Sequence, residues 1–97
     1  MYTKELLKYS NPIIAQKRAY AYLGKTAKLY PASKKQKKYR IWNGYKWINF
    51  GQLGYQDYTR HKDKTRRRSY LARSRKIRGD WKRNKYSPNN LSIHILW

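Results

Sequence analysis

The chain has 97 residues and a formal net charge of +21 at pH 7, because its 25 Lys and Arg residues face only four acidic residues. Self-repulsion at this charge opposes compaction, so most of the charge is expected to meet an external polyanion or an acidic partner. The absence of Cys excludes disulfides, thiolate metal sites and cysteine nucleophiles. The length predicts one small basic domain, residues 1–97, with a thin core to which 11 Tyr and 4 Trp contribute apolar surface.

The first predicted element is a helix over residues 12–23. Asn11-Pro12 reads as an N-cap followed by proline at the first helical position, and Gly24 is typical of a helix C-cap. The apolar residues between them do not fall on one stripe, which predicts burial on more than one face.

A small sheet is predicted over about residues 27–50, as a β-hairpin or a three-stranded meander. Residues 27–30 form a short strand candidate that Pro31 stops, and a basic turn over 33–38 delivers the chain into the run 39–42.

The dipeptide Asn43-Gly44 predicts a two-residue type I′ turn, because both residues accept the positive φ that this turn requires. In that register Trp42 pairs with Tyr45 and Arg40 pairs with Trp47 on one face. The face would be an aromatic platform with a guanidinium group over an indole ring.

A basic helical region is predicted over about residues 55–78, within which Asp63 can pair with Arg67 four residues later. Its arginines cover much of the helix circumference, so anions are expected nearby. Ser87-Pro88 repeats the cap-then-proline signal and predicts a short C-terminal helix. The predicted fold class is therefore α+β.

The C-terminal segment is too apolar to be exposed and is expected to dock, either on this chain or on a neighbour. Insertion into a neighbour's pocket would make its large side chains interface anchors. The candidate anchors are Leu91, Ile95, Leu96 and Trp97.

Catalysis, metals and cofactors have little support in this sequence. His61 and His94 lack metal-ligand spacing, and the four carboxylates are widely separated. Gly24-Lys25-Thr26 is not a phosphate-binding loop, because Ala19 stands where its first glycine should be. The sequence therefore predicts no enzyme, no catalytic or metal site, no cofactor and no small-molecule substrate. Contact with an anionic membrane lacks the support of a clean amphipathic helix.

Basic residues interleaved with aromatic ones are the remaining chemical signal. Cations neutralise phosphates and rings stack on bases, the combination found in single-strand binders. For any single ring, a place in the core is the simpler interpretation. The candidate residues for binding a polyanion or an acidic partner are Lys34, Lys35, Lys37, Lys38, Arg40, Trp42, Lys46, Trp47, Arg66, Arg67, Arg68, Arg73 and Arg75.

Several short motifs distributed along the chain resemble those of a known protein family. They are Tyr22-Leu23-Gly24, Leu29-Tyr30-Pro31, Lys37-Lys38-Tyr39, the run 50–59, His61-Lys62-Asp63, the run 86–92 and Leu96-Trp97. In these motifs the chain resembles a family of small basic proteins of unknown function that recur in nucleocytoplasmic large DNA viruses. The resemblance implies a viral protein and brings no activity with it.

The leading hypothesis is a non-enzymatic structural protein of the virion, a minor capsid or cement component of a large icosahedral DNA virus. It would bind neighbouring capsid proteins and internal polyanion, and would pass through the host cytoplasm or nucleus during assembly. The alternative is a nucleic-acid-binding protein without sequence preference, which condenses the viral genome or binds RNA as small ribosomal proteins do. DNA, RNA, lipid and acidic protein all remain open as the anionic partner.

Overall fold

A computed structural model describes residues 2–97, and its fold is α+β, as the sequence predicts. Two helices precede a three-stranded sheet, and short helices follow it. In chain order the elements are α1 (Lys4–Tyr9), α2 (Pro12–Leu23), β1 (Leu29–Pro31), β2 (Lys37–Trp42), β3 (Trp47–Gln52), α3 (Tyr58–His61), α4 (Lys64–Ser74), a 3₁₀ turn (Asp80–Arg83) and α5 (Pro88–Leu91), which continues as a π-helical turn (Ser92–Leu96).

Helix α2 has the predicted bounds and the predicted caps. The Asn11 side-chain oxygen accepts hydrogen bonds from the first free backbone N–H groups of the helix, at 3.0 and 3.3 Å. Its buried positions are Ala15 and Ala19, whereas Ile13 is 71% exposed. The two small side chains allow the C-terminal π-helical turn to pack closely against α2.

The sheet is an antiparallel meander in the order β1-β2-β3. The predicted two-residue turn is wrong, because Trp42 lies opposite Trp47 and four residues connect the strands. The Asn43 side-chain oxygen accepts hydrogen bonds from the N–H groups of Tyr45 and Lys46 at 2.8 and 2.9 Å. Only Gly44 of the turn dipeptide has a positive φ, whereas a type I′ turn needs two such residues. The register differs by two residues, so every strand side chain keeps its predicted face.

The core lies between the inner face of the sheet, α2 and the C-terminal segment. Its buried apolar residues are Leu6, Ala15, Ala19, Ala27, Leu29, Tyr39, Ile41, Phe50, Leu91, Ile95 and Leu96. The C-terminal segment lies so close to the end of β3 that a Cβ atom on Gly51 would lie 2.8 Å from Leu96 Cδ1. A side chain at that position would force the Leu96 side chain to move and would strain the backbone, because Gly51 has a φ of 82°.

The C-terminal segment docks on its own chain, the first of the two alternatives that the sequence leaves open. Leu91, Ile95 and Leu96 are at most 1% exposed in the core, so they are not available as anchors in a neighbour's pocket. The chain has few large aliphatic residues, and its own interior needs these three. Trp97 differs from them because it remains partly exposed.

The basic helical region is two helices rather than one. Lys62 adopts a left-handed backbone conformation (φ 57°) between α3 and α4. Asp63 then caps α4, where its carboxylate accepts from the N–H groups of Thr65 and Arg66 at 2.9 and 3.2 Å. The predicted pair with Arg67 does not form, because Arg67 Nε donates to the backbone carbonyl of Trp97 at 2.7 Å.

Candidate polyanion-binding surfaces

The outward face of the sheet is a cluster of rings around one guanidinium group. We call it the aromatic face and define it by Tyr30, Arg40, Trp42, Trp47 and Asn49, which occupy neighbouring positions of the three strands. The guanidinium carbon of Arg40 lies 4.5 Å from the Trp47 ring centroid, which confirms the predicted cation–π contact. The Tyr30 and Trp42 rings each form a T-shaped pair with Trp47, at centroid distances of 5.4 Å.

The rings of the aromatic face are held in place but not covered. Trp42 and Trp47 are 48% and 40% exposed. They border a groove of about 540 Å³, whose other walls include Lys28, Gly44 and Tyr86. No carboxylate lines this groove, and its volume lies in the range of roughly 300–1,000 Å³ that is usual for ligand sites.

Lys38 is not a free cation for binding a polyanion, although the sequence places it among the candidates. Its side chain is 3% exposed, and its ammonium group lies 3.1 Å from Asp57 Oδ2 and 2.6 Å from the Tyr55 carbonyl oxygen. Burial lowers the pKa of Lys38, and the facing carboxylate partly opposes that shift. The chain that follows β3 folds over the lysine, which spacing along the sequence does not reveal.

A buried hydrogen-bond network extends from this ion pair into the core. Thr59 donates from its hydroxyl group to Asp57 and lies 3.2 Å from the Ser10 hydroxyl oxygen. The Tyr39 hydroxyl group donates to Ser10 at 2.7 Å, and burial raises the pKa of Tyr39 above its usual value. The network joins β2, the α1–α2 junction and the start of α3. It therefore stabilises the fold and is unavailable to a ligand.

The other candidate cations of the hairpin region divide between two places. Lys34, Lys35 and Lys37 line a depression beside α1, where Glu5 partly offsets their charge. Lys46 is exposed in the turn between β2 and β3, next to the aromatic face.

The candidate arginines of α4 and its C-cap residue Arg75 lie on different sides of the helix. Arg66 and Arg73, seven residues apart on one side of the helix, line a cleft. Arg68 and Arg75 are exposed but do not line it. Arg67 is partly buried, because its guanidinium group binds the Trp97 carbonyl and lies 5.3 Å from the Tyr58 ring centroid. It holds the C-terminal segment against α3 and α4.

This cleft, here called the arginine cleft, has a volume of about 480 Å³. Sequence reasoning misses it because four separate segments form its walls. The one local signal is the spacing of Arg66, Ser69, Tyr70 and Arg73 on α4. Its lining residues are Lys38, Gly51, Gln52, Tyr55, Gln56, Thr65, Arg66, Ser69, Tyr70, Arg73, Ser92, Leu96 and Trp97.

The two histidines lie in different environments. His61 Nδ1 accepts a hydrogen bond from the Asp63 N–H at 2.8 Å, and His94 stacks on Tyr22 at a centroid distance of 4.3 Å. Within residues 2–97, His, Asp and Glu form no group of three or more that could hold a metal ion. In the same part of the chain, no helix has the length and apolarity needed to cross a membrane.

Comparison with known proteins gives one similarity. Residues 27–74 match a family of unknown function, DUF5754. The matched range contains the sheet, α3, α4 and the Lys38–Asp57 pair, but not the C-terminal segment that completes the core and the arginine cleft. No curated protein and no solved structure matches the chain.

Proposed function

We propose that this protein binds single-stranded nucleic acid without sequence preference, with the aromatic face as its base-stacking surface. The observation that carries the proposal is the half-exposed pair Trp42 and Trp47 beside a groove without carboxylates, in a chain of net charge +21. Accessible indole rings offer stacking to any base, and the surrounding cations neutralise phosphates. Both contacts are independent of base identity.

The arrangement favours single strands over duplexes. The bases of a duplex are already stacked on one another, so indole rings gain contact only with strands whose bases are free. Lys28 borders the groove and Lys46 is exposed in the adjoining turn, where each can meet the backbone of a strand lying on the rings. Arg40 contributes its charge while holding Trp47 in place.

The test is fluorescence anisotropy with a labelled oligo(dT) strand and a duplex of equal length, at several salt concentrations. Trp42→Ala and Trp47→Ala should each weaken strand binding by about 1–3 kcal/mol, the usual contribution of one stacked base. The slope of log K against log salt should not change, because no charge is removed. The change Lys28→Gln should make that slope shallower.

Tyr20→Ala is the matched control, because Tyr20 is 38% exposed and does not line the groove. Circular dichroism of each variant establishes that it is folded. Equal affinity for strand and duplex, together with unchanged binding by both tryptophan variants, would refute stacking and leave only diffuse electrostatic attraction.

A structural role in a virion is a second proposal, which rests on the sequence resemblance and on one structural observation. Leu7 in α1 and Ile13 in α2 are 46% and 71% exposed, and such apolar side chains suit contact with a neighbouring protein. The test is quantitative mass spectrometry of purified virus particles after nuclease and moderate salt. Fixed stoichiometry with the major shell protein supports this role, whereas release with the genome contradicts it.

A further inference from the structure

The arginine cleft combines positive charge with a shaped interior. Arg66 and Arg73 lie two helical turns apart on one side of α4, and no Asp or Glu side chain lines the cleft. Lys38 at its base is already neutralised by Asp57. The free positive charge is therefore concentrated on the two arginines, whose planar guanidinium groups are well suited to hold a phosphate group.

An aromatic stack lies in the same cleft. The rings of Tyr70 and Trp97 are nearly parallel, with centroids 4.1 Å apart and an interplanar angle of 10°. Trp97 is fixed because its carbonyl oxygen accepts from Arg67 Nε and its ring lies 5.2 Å from that of His61. Both stacked rings line the cleft and are only partly buried, so they present aromatic surface to a ligand there.

Neutral hydrogen-bonding groups complete the lining. Gln52 and Gln56 bring amides, and Thr65, Ser69 and Ser92 bring hydroxyl groups. Amides and hydroxyl groups both donate and accept hydrogen bonds, as the edge of a base and the hydroxyl groups of a sugar require. A volume of about 480 Å³ lies within the usual range of roughly 300–1,000 Å³ for small-molecule sites.

We infer that the arginine cleft binds one nucleoside phosphate, with its base against the Tyr70–Trp97 stack and its phosphate between Arg66 and Arg73. The cleft shares no lining residue with the groove of the aromatic face. It is thus a second site, separate from the groove of the aromatic face. The inference does not depend on strand binding by the aromatic face.

The experiment is an NMR titration of the full chain with AMP, adenosine and inorganic phosphate, at a fixed sodium chloride concentration at which circular dichroism shows the chain to be folded, followed through the four tryptophan indole N–H signals. AMP should shift the Trp97 signal saturably and leave Trp81 unchanged, because the Trp81 indole N–H is held by the Ile77 carbonyl at 2.6 Å. Adenosine and inorganic phosphate should each bind about tenfold more weakly, since each lacks one half of the contacts.

The double change Arg66→Gln and Arg73→Gln should weaken AMP binding about tenfold or more, because it removes charge-assisted hydrogen bonds to the phosphate. The control is Arg68→Gln with Arg75→Gln, which removes the same charge from α4 and its C-cap residue, outside the cleft. It should change AMP affinity less than about threefold. Circular dichroism tests that both double variants fold.

Three outcomes would overturn the inference. Equal losses in the two double variants would show diffuse charge attraction, and equal affinity for AMP and inorganic phosphate would show a phosphate site without base recognition. A shift of Trp42 or Trp47 in place of Trp97 would move the nucleotide to the aromatic face. Oligonucleotide binding is measured on different variants, so the proposed function and this inference can fail separately.

Discussion

The buried Lys38–Asp57 pair and the surface of α4 show two opposite treatments of positive charge in one small chain. Among residues 2–97, this pair is the one ion pair between side chains, and it lies in the interior. On α4, Arg66, Arg68 and Arg73 are exposed, and the nearest acidic residue, Asp63, is occupied with capping the helix. One of the four carboxylates, that of Asp57, thus joins structural elements in the interior. The positive charge on the surface of α4 has no acidic partner there.

These two environments indicate which cations are free to bind a ligand. A charge buried with a partner is costly to disturb and contributes little to the external field. Exposed arginines without partners contribute fully to that field and repel one another. The count of basic residues is therefore larger than the number of cations available for binding. Lys38 and Arg67, for example, make contacts within the fold instead.

The largest effect is expected from breaking the buried pair. Asp57→Asn should lower the free energy of unfolding by about 3–5 kcal/mol, because it leaves an ammonium group buried without a counter-charge. It also weakens the acceptor for the Thr59 hydroxyl group. The measurement is urea unfolding at fixed sulfate concentration, followed by circular dichroism.

The companion variant carries Lys38→Met together with Asp57→Asn. Removing both charges should recover at least half of the lost stability, because no unpaired charge remains in the interior. If Asp57→Asn alone is unfolded at every urea concentration, a folded double variant still demonstrates the recovery. A double variant no more stable than Asp57→Asn alone would show that Asp57 acts through its hydrogen bonds and not through the ion pair.

Local signals were enough to predict much of the fold. The caps of α2 at Asn11-Pro12 and Gly24 lie within a few residues of each other and act through local hydrogen bonds, so the sequence predicts that helix to the residue. The faces of the hairpin followed from strand alternation, although its register did not. The register depended on how the Asn43 side chain satisfies the turn, an option that the dipeptide alone does not reveal.

The candidate sites were less predictable, because they depend on long-range packing. The Arg40–Trp47 contact could be predicted, since it joins neighbouring strands of one hairpin. The arginine cleft and the burial of Lys38 could not be predicted, because both arise where the chain after β3 folds back across the sheet. Asp57 was visible in the sequence as a rare carboxylate, but no spacing rule connects it to a lysine nineteen residues earlier.

The next largest effect concerns the exposed cations that have no acidic partner. We predict that the isolated chain is largely unfolded in dilute buffer and gains structure with sulfate, because anions bound to the folded state offset the repulsion among exposed cations. Sulfate at about 100 times its dissociation constant would stabilise by about 2.7 kcal/mol. Sodium chloride of equal ionic strength should stabilise less. A cooperative thermal transition in dilute buffer without added anions would contradict this prediction.

The smallest expected effect concerns His61, which lies between Asp57 and α4 in the sequence. Burial, assisted by Arg66 and opposed by Asp63, lowers the pKa of His61. Because the folded pKa is below the unfolded value, the stability gained from neutral His61 is present above about pH 6.5 and is lost as the pH falls through the folded pKa. Protonation of Nδ1 would also remove the acceptor for the Asp63 N–H at the start of α4.

Unfolding free energies at pH 7.5 and pH 5, at fixed sulfate, should therefore differ less in His61→Gln than in the unmodified chain. The change should be below about 1 kcal/mol, the net value of one ordinary hydrogen bond. His94→Gln is the comparison, because burial also lowers the pKa of His94 but its ring stacks on Tyr22 and caps no helix. If only His94→Gln reduced the pH dependence, the α3–α4 junction would be insensitive to His61, and acid would act on the packing of the C-terminal segment instead.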